Sequence, residues 1–183
     1  MRNHSNQLHY LMKDAKQSAA LRLEVQFGAS RRGVPHVRRL REWAQAGYLA
    51  HVKIHRGNRK VKIPAASVSL RIVTAKESQQ LNLSWRDKDK PTNVLSFPVG
   101  DEDLEMLADD GAFNLGDVAI CAQVVNREAK EQQKKPDAHW AHMMIHGVLH
   151  LLGYDHETSR DAKVMESIEI TVLKQFGFSN PYE

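Results

Sequence analysis

Three histidines and two glycines, set within a single short stretch, constrain this chain more than any other feature. The stretch reads His146-Gly147-Val148-Leu149-His150-Leu151-Leu152-Gly153-Tyr154-Asp155-His156. On a helix, residues i and i+4 share a face, so His146 and His150 aim two imidazoles at one point. Gly153 tolerates a left-handed backbone. The helix can end there, and the chain can turn back to bring His156 to the same point. Three neutral imidazoles around one open position describe a catalytic zinc site, whereas a structural zinc normally takes four protein ligands. His142 lies one turn before His146, but two helical turns span about 11 Å, so His142, His146 and His150 cannot share an ion. His142 is expected to support the site or pack beneath it, and His139 and Trp140 to belong to the helix start. The chain has one cysteine, Cys121, which excludes an internal disulfide framework and a multi-cysteine zinc site.

The spacing H-x-x-x-H-x-x-G-x-x-H is that of the metzincin metalloproteases. Those enzymes place a Glu directly after the first His as general base; here Gly147 stands there. The metal pattern is kept and the peptidase's acid–base partner is missing. Amide cleavage must protonate a poor amine leaving group, whereas a three-histidine zinc acidifies water without a neighbouring carboxylate and polarises phosphoryl oxygens. Phosphate chemistry is therefore favoured, with a metallopeptidase-like hydrolase as the alternative. Asp155 is either a base or, as is favoured, a cap of the turn or the partner of a ligand's second nitrogen. Glu166 is expected to be structural. Asp117 is either a turn residue or a cleft carboxylate, with the turn favoured.

Charge is unevenly spread. Residues 1–63 hold 14 Lys/Arg against 3 Asp/Glu, and residues 64–183 hold 12 against 19. The basic positions include Arg31, Arg32, Arg38, Arg39, Arg41, Lys53, Arg56, Arg59, Lys60 and Lys62. Such a cluster is either a solvated surface or an attractor of a polyanion. No apolar run approaches the ~20 residues needed to span a bilayer. The polar start, MRNHSNQLHYLMKDAKQ, lacks the apolar core of a secretory signal, so a cytoplasmic address is expected.

Periodicity predicts an α+β fold, a small mixed β-sheet packed with about five helices, one of them the zincin-like metal helix. Residues 1–19 read as a loose extension and 20–183 as one domain. Strands are expected at Leu21–Phe27, Val68–Val73, Asn93–Phe97 and Val118–Cys121. Pro35 opens a helix to about Tyr48, with Val37, Leu40, Trp43 and Ala44 on one face. Residues 50–64 are either a short strand or a basic loop. Thr74 caps a helix to about Leu83, with Glu77 completing a capping box. An acidic loop covers about 100–113. Further helices are expected over 122–133, from Asp137 to Leu152 ended by Gly153, and from Ser159 to Phe176.

LNLSWRDKDKPTNVLSFP (81–98), Leu115-Gly116-Asp117-Val118-Ala119-Ile120-Cys121, His139-Trp140-Ala141-His142, the HGVLHLLGYDH segment and the ending GFSNPY together resemble the YbeY family of bacterial rRNA maturation factors. The likeness covers about residues 65–183. It implies a single-strand-specific, metal-dependent endoribonuclease acting in small-subunit rRNA maturation, including 16S 3′-end processing, and in ribosome quality control. It implies partners in single-stranded RNA, the small ribosomal subunit and assembly factors. It also implies one zinc ion at His146, His150 and His156, and a functional arginine at Arg86. A planar guanidinium suits two phosphate oxygens. The alternative is a non-catalytic, zinc-containing assembly factor. Residues 28–63 are longer and more basic than the family leads one to expect.

Overall fold

Alternation of apolar and polar residues builds the sheet. In β1 (Leu21–Phe27), Leu21 and Leu23 are buried while Arg22 and Glu24 face solvent. β2 (Ala66–Val73), β3 (Val94–Pro98) and β4 (Phe113–Cys121) complete four strands in the order β1-β2-β4-β3. β1 and β4 both run parallel to β2, and β3 lies antiparallel to β4 at one edge. The computed structural model describes residues 20–57, 63, 65–100 and 112–183. The extension expected at 1–19, part of the basic stretch and most of the acidic loop lie outside the described residues.

Among the described residues five helices accompany the sheet: α1 (Val37–Arg56), α2 (Ala75–Arg86), α3 (Ala122–Glu131), α4 (Pro136–Leu151) and α5 (Ser159–Gln175). The architecture is the α+β fold read from periodicity. On one face, α1, α4 and α5 pack on one another and cover Leu70, Ile72 and Ile120. A smaller cluster on the other face joins Val73, Leu95, Ala119 and Cys121 to Ala75 and Leu81 of α2. Cys121 is a buried free thiol. α4 is apolar around most of its circumference, with Trp140, Met144, Ile145, Val148 and Leu149 fully buried. A helix of that kind belongs inside the protein. Each large side chain buried this way contributes roughly 1.5–3 kcal/mol relative to exposure, and together they fix the helix from which two of the histidines project.

Several boundaries depart from the expectations. α1 continues past Tyr48 to Arg56, so residues 50–56 are neither strand nor loop. The reason is that the apolar stripe goes on: Tyr48 and Val52 are buried behind Leu40, Trp43 and Ala44. α2 ends at Arg86, not Leu83. Thr74 Oγ1 caps it by accepting from Glu77 N at 3.1 Å. The capping box is only half made, because Glu77 Oε1 takes Arg71 Nε at 2.7 Å instead. β4 begins at Phe113, inside the expected acidic loop. Asp117 is therefore a strand residue opposite Phe97, neither a turn residue nor part of the histidine cleft.

Candidate metal centre

The last turn of α4 carries His146 and His150 with their Nε2 atoms 3.0 Å apart. Leu152 caps the helix and Gly153 follows at φ +83°. Gly153 N donates to His150 O at 3.1 Å and Tyr154 N to Leu149 O at 3.1 Å. This paired closure with a left-handed glycine is the Schellman motif. It turns the chain back on the helix and delivers His156. One ring nitrogen from each of His146, His150 and His156 lies within 4.8 Å of the others. Ring centroids stand 4.5 Å apart for His146–His150, 5.0 Å for His150–His156 and 5.4 Å for His146–His156.

Hydrogen bonds set which nitrogens face the convergence. Glu169, fully buried on α5, has Oε1 2.8 Å from His146 Nδ1. Burial alone opposes ionisation of Glu169, but hydrogen bonds from His142 and His146 and their nearby charge hold its pKa down at about 2. An ionised carboxylate only accepts, so His146 Nδ1 carries the proton and its Nε2 lone pair points into the site. Tyr182 O–H donates to the second oxygen, Glu169 Oε2. Burial first, then Glu169, raises the Tyr182 hydroxyl pKa and keeps it a donor. His142 Nε2 lies 3.5 Å from Glu169 Oε2, so His142 packs beneath the site as expected. His156 is oriented more loosely, its Nδ1 3.2 Å from exposed Asp155 Oδ1. Burial, then the neighbouring His146 and His156, lower the His150 pKa to about 4, which keeps its ring neutral at ordinary pH. Zinc bound by imidazoles at about 2.0–2.1 Å in a tetrahedral arrangement separates its nitrogens by about 3.3 Å. The 3.0 Å between His146 and His150 and the three imidazole donors fit such a cation.

The convergence opens into a cleft of about 270 Å³, lined also by Arg86, Asn93, Ser96 and Glu166. Arg86 ends α2 and lines this cleft. Its charge is felt at His150. Glu166, expected to be structural, lines the cleft instead. Gly147 shows why no carboxylate follows His146. A Cβ there would meet Val118 Cγ1 at 3.0 Å and Val94 Cγ2 at 3.3 Å. Ser96 Oγ also donates to Gly147 O at 3.0 Å. The position is pressed against β3 and β4, and any side chain there would require Val118 and Val94 to shift.

A family model described as Endoribonuclease YbeY matches residues 35–177. The chain belongs to the YbeY endoribonuclease family. YbeY membership makes it a metal-dependent endoribonuclease, a hydrolase whose substrate is RNA, with a role in rRNA processing. The solution structure of TM1509 from Thermotoga maritima is similar in fold. Identity is 22%, 89% of this chain and 99% of that one are covered, and the TM-score is 0.50. No helix among the described residues is long and apolar enough to cross a membrane.

In this YbeY-family chain the four residues singled out from sequence, Arg86, His146, His150 and His156, share one cleft. Glu169, Tyr182 and Ser96 were missed. The signal for Glu169 was a lone acid in the apolar stripe Met165, Ile168, Val172, Leu173 of α5. His139 and Trp140 do more than start α4: His139 Nε2 pairs with Glu128 at 2.9 Å and Trp140 Nε1 donates to Asn126 at 2.8 Å, tying α4 to α3. Part of the basic stretch is committed internally. Arg39 pairs with Asp137 and lies over Trp43, Arg38 pairs with Glu42, and Arg41 Nε donates to Leu23 O.

Proposed function

We propose that residues 20–183 form one catalytic domain in which His146, His150 and His156 hold a zinc ion and Arg86 binds the scissile phosphate of single-stranded RNA. The observation that carries this reading is the open-sided convergence of three imidazole nitrogens within 4.8 Å, in the same cleft as an arginine. The proposed substrate is small-subunit rRNA at the 3′ end of 16S, in maturation and in ribosome quality control, with the small subunit and its assembly factors as partners.

When bound, the ion supplies Lewis acidity toward a phosphoryl oxygen and lowers the pKa of water. The chain's own residues supply the rest. Glu169, held by Tyr182, keeps the Nδ1 proton on His146 and so keeps its Nε2 lone pair aimed inward. Such outer partners fix the ring's tautomer and orientation. Arg86 offers a planar fork to two phosphate oxygens and stabilises the charge that builds on them in the transition state. Gly147 supplies no carboxylate of the kind a peptidase would use, and phosphate ester cleavage tolerates that loss better than amide cleavage.

The test couples metal analysis of purified protein to digestion of single-stranded RNA, duplex RNA and a 16S 3′-end precursor, with and without chelator. One zinc per chain and chelator-sensitive cutting confined to unpaired RNA are expected. Arg86→Glu should keep the metal and the fold but lose cleavage. Cleavage unaffected by thorough metal removal, or unchanged in Arg86→Glu, would remove the corresponding part of the reading.

A further inference from the structure

α5 brings more to the histidine cleft than the carboxylate that orients His146. Ala162, Met165 and Glu166 line the cleft, and with Glu169 they take positions i, i+3, i+4 and i+7 of one helix face. Glu169 is fully buried and bound to His146 Nδ1. Glu166, one turn earlier, is partly exposed where that face borders the cleft. Among the described residues it is the only carboxylate in the cleft wall, and no hydrogen bond or ion pair engages it. Its charge is felt at Tyr182, which lines the same cleft. Glu166 belongs to neither set of donors close enough to share one ion, so it is not a fourth ligand.

Hydrolysis of a phosphodiester gains from a group that takes a proton from the attacking oxygen and returns one to the leaving oxygen. Apart from the three clustered imidazoles, the wall offers few groups for this. Arg86 keeps its protons. Asn93 is neutral, and Ser96 Oγ donates to Gly147 O. The Tyr182 hydroxyl is committed to Glu169, and burial, then Glu169, raise its pKa. His142 is buried, with Nε2 3.5 Å from Glu169 Oε2. Asp155 does not line the cleft. Glu166 alone is both in the wall and free to accept a proton. Where Gly147 supplies no carboxylate, α5 presents one from a different element.

Resting on the proposed RNA-cleaving role of the cleft, we propose that Glu166 is the general base of the reaction, a catalytic residue that takes the proton of the attacking water. The water oxygen bonds to phosphorus as its proton passes to the Glu166 carboxylate. The bond from phosphorus to the leaving ribose oxygen then breaks, and that oxygen takes the proton from Glu166. One water is consumed, and the products are one strand ending in a phosphomonoester and one ending in a hydroxyl.

Glu166→Gln keeps the side chain's shape and removes the proton acceptor. Its kcat on single-stranded RNA should fall about a hundredfold or more, with KM little changed. Metal per chain should equal that of the wild type. Metal-free protein titrated with labelled single-stranded RNA gives a second readout that needs no turnover. There Glu166→Gln should bind at least as tightly as the wild type, because a negative charge facing a polyanion is gone. Formate added to Glu166→Ala should restore part of the lost rate by placing a free carboxylate in the vacated space. A kcat close to the wild-type value in Glu166→Gln would overturn the base. So would metal loss or weaker RNA binding in step with the lost rate, which would make Glu166 a positioning residue. A 2′,3′-cyclic phosphate on the product would mean attack by the ribose hydroxyl and would overturn the step with water. RNA cut equally by the wild type and Glu166→Gln removes the base and leaves the nuclease reading standing. A metal-loaded wild type that cuts no RNA removes the nuclease reading and the base with it.

Discussion

His146 and His156 carry the same ring, but α4 and the loop after Gly153 present them differently. His146 sits on a helix buried on most sides, its Nδ1 bound to a fully buried carboxylate that a tyrosine and a second histidine also hold. His156 stands exposed on a turn and is steadied by its neighbour Asp155, itself half exposed. One half of the convergence is preset by the core. The other half depends on a backbone turn and one short side chain. The difference teaches that orientation at this site is supplied mainly from α5, an element that contributes no ring to the cluster.

The comparison can be broken or sharpened by substitution. The largest effect belongs to His150→Ala. It removes the central ring, so metal content should fall from about one per chain to near zero, and cleavage with it. Full metal stoichiometry in that variant would show that His150 is not a ligand. Glu169→Gln comes next. Losing an outer hydrogen-bond partner of this kind typically weakens metal affinity about 10–100-fold, to be read by competition with a chelator of known strength. Asp155→Asn should cost less than about tenfold in the same assay, because an exposed hydrogen bond contributes little. Equal losses for Glu169→Gln and Asp155→Asn would erase the proposed asymmetry.

The smallest effect concerns pH. His51 on α1 lies 3.3 Å from the Tyr154 hydroxyl, at the base of the loop that carries His156. Burial, then the adjacent His55, lowers the His51 pKa from 6.5 to about 4. The unfolded chain binds this proton more readily than the folded one. The stability contribution is therefore complete above about pH 6.5 and declines as pH falls toward 4. His51→Gln should reduce the loss of stability between pH 7 and pH 5, measured by urea midpoints. An identical decline in both proteins would show that His51 does not carry it.

Residues whose role is local were legible in the sequence. The i, i+4 histidines, the reversing Gly153, the Thr74 cap and the alternation in β1 each follow from backbone geometry over a few positions, and the structure places all of them as read. Boundaries set by packing were less so. α1 runs on to Arg56 because Tyr48 and Val52 join the core cluster to which α4 and α5 also contribute, and no local pattern announces that this cluster extends so far. Glu77 was expected to reach back to its own helix cap, but a closer competitor, Arg71 on the preceding strand, takes it.

By itself the sequence determined the three-imidazole pattern, the fold class and the missing carboxylate after His146. These depend on residue type, spacing and a helix repeat that is the same in every protein. Only the tertiary structure decided that Glu169 and Tyr182 orient His146 and that Gly147 is pressed against two strands. Those relations join residues between 13 and 53 positions apart, and nothing in a linear order specifies which distant side chains a packed core will bring together.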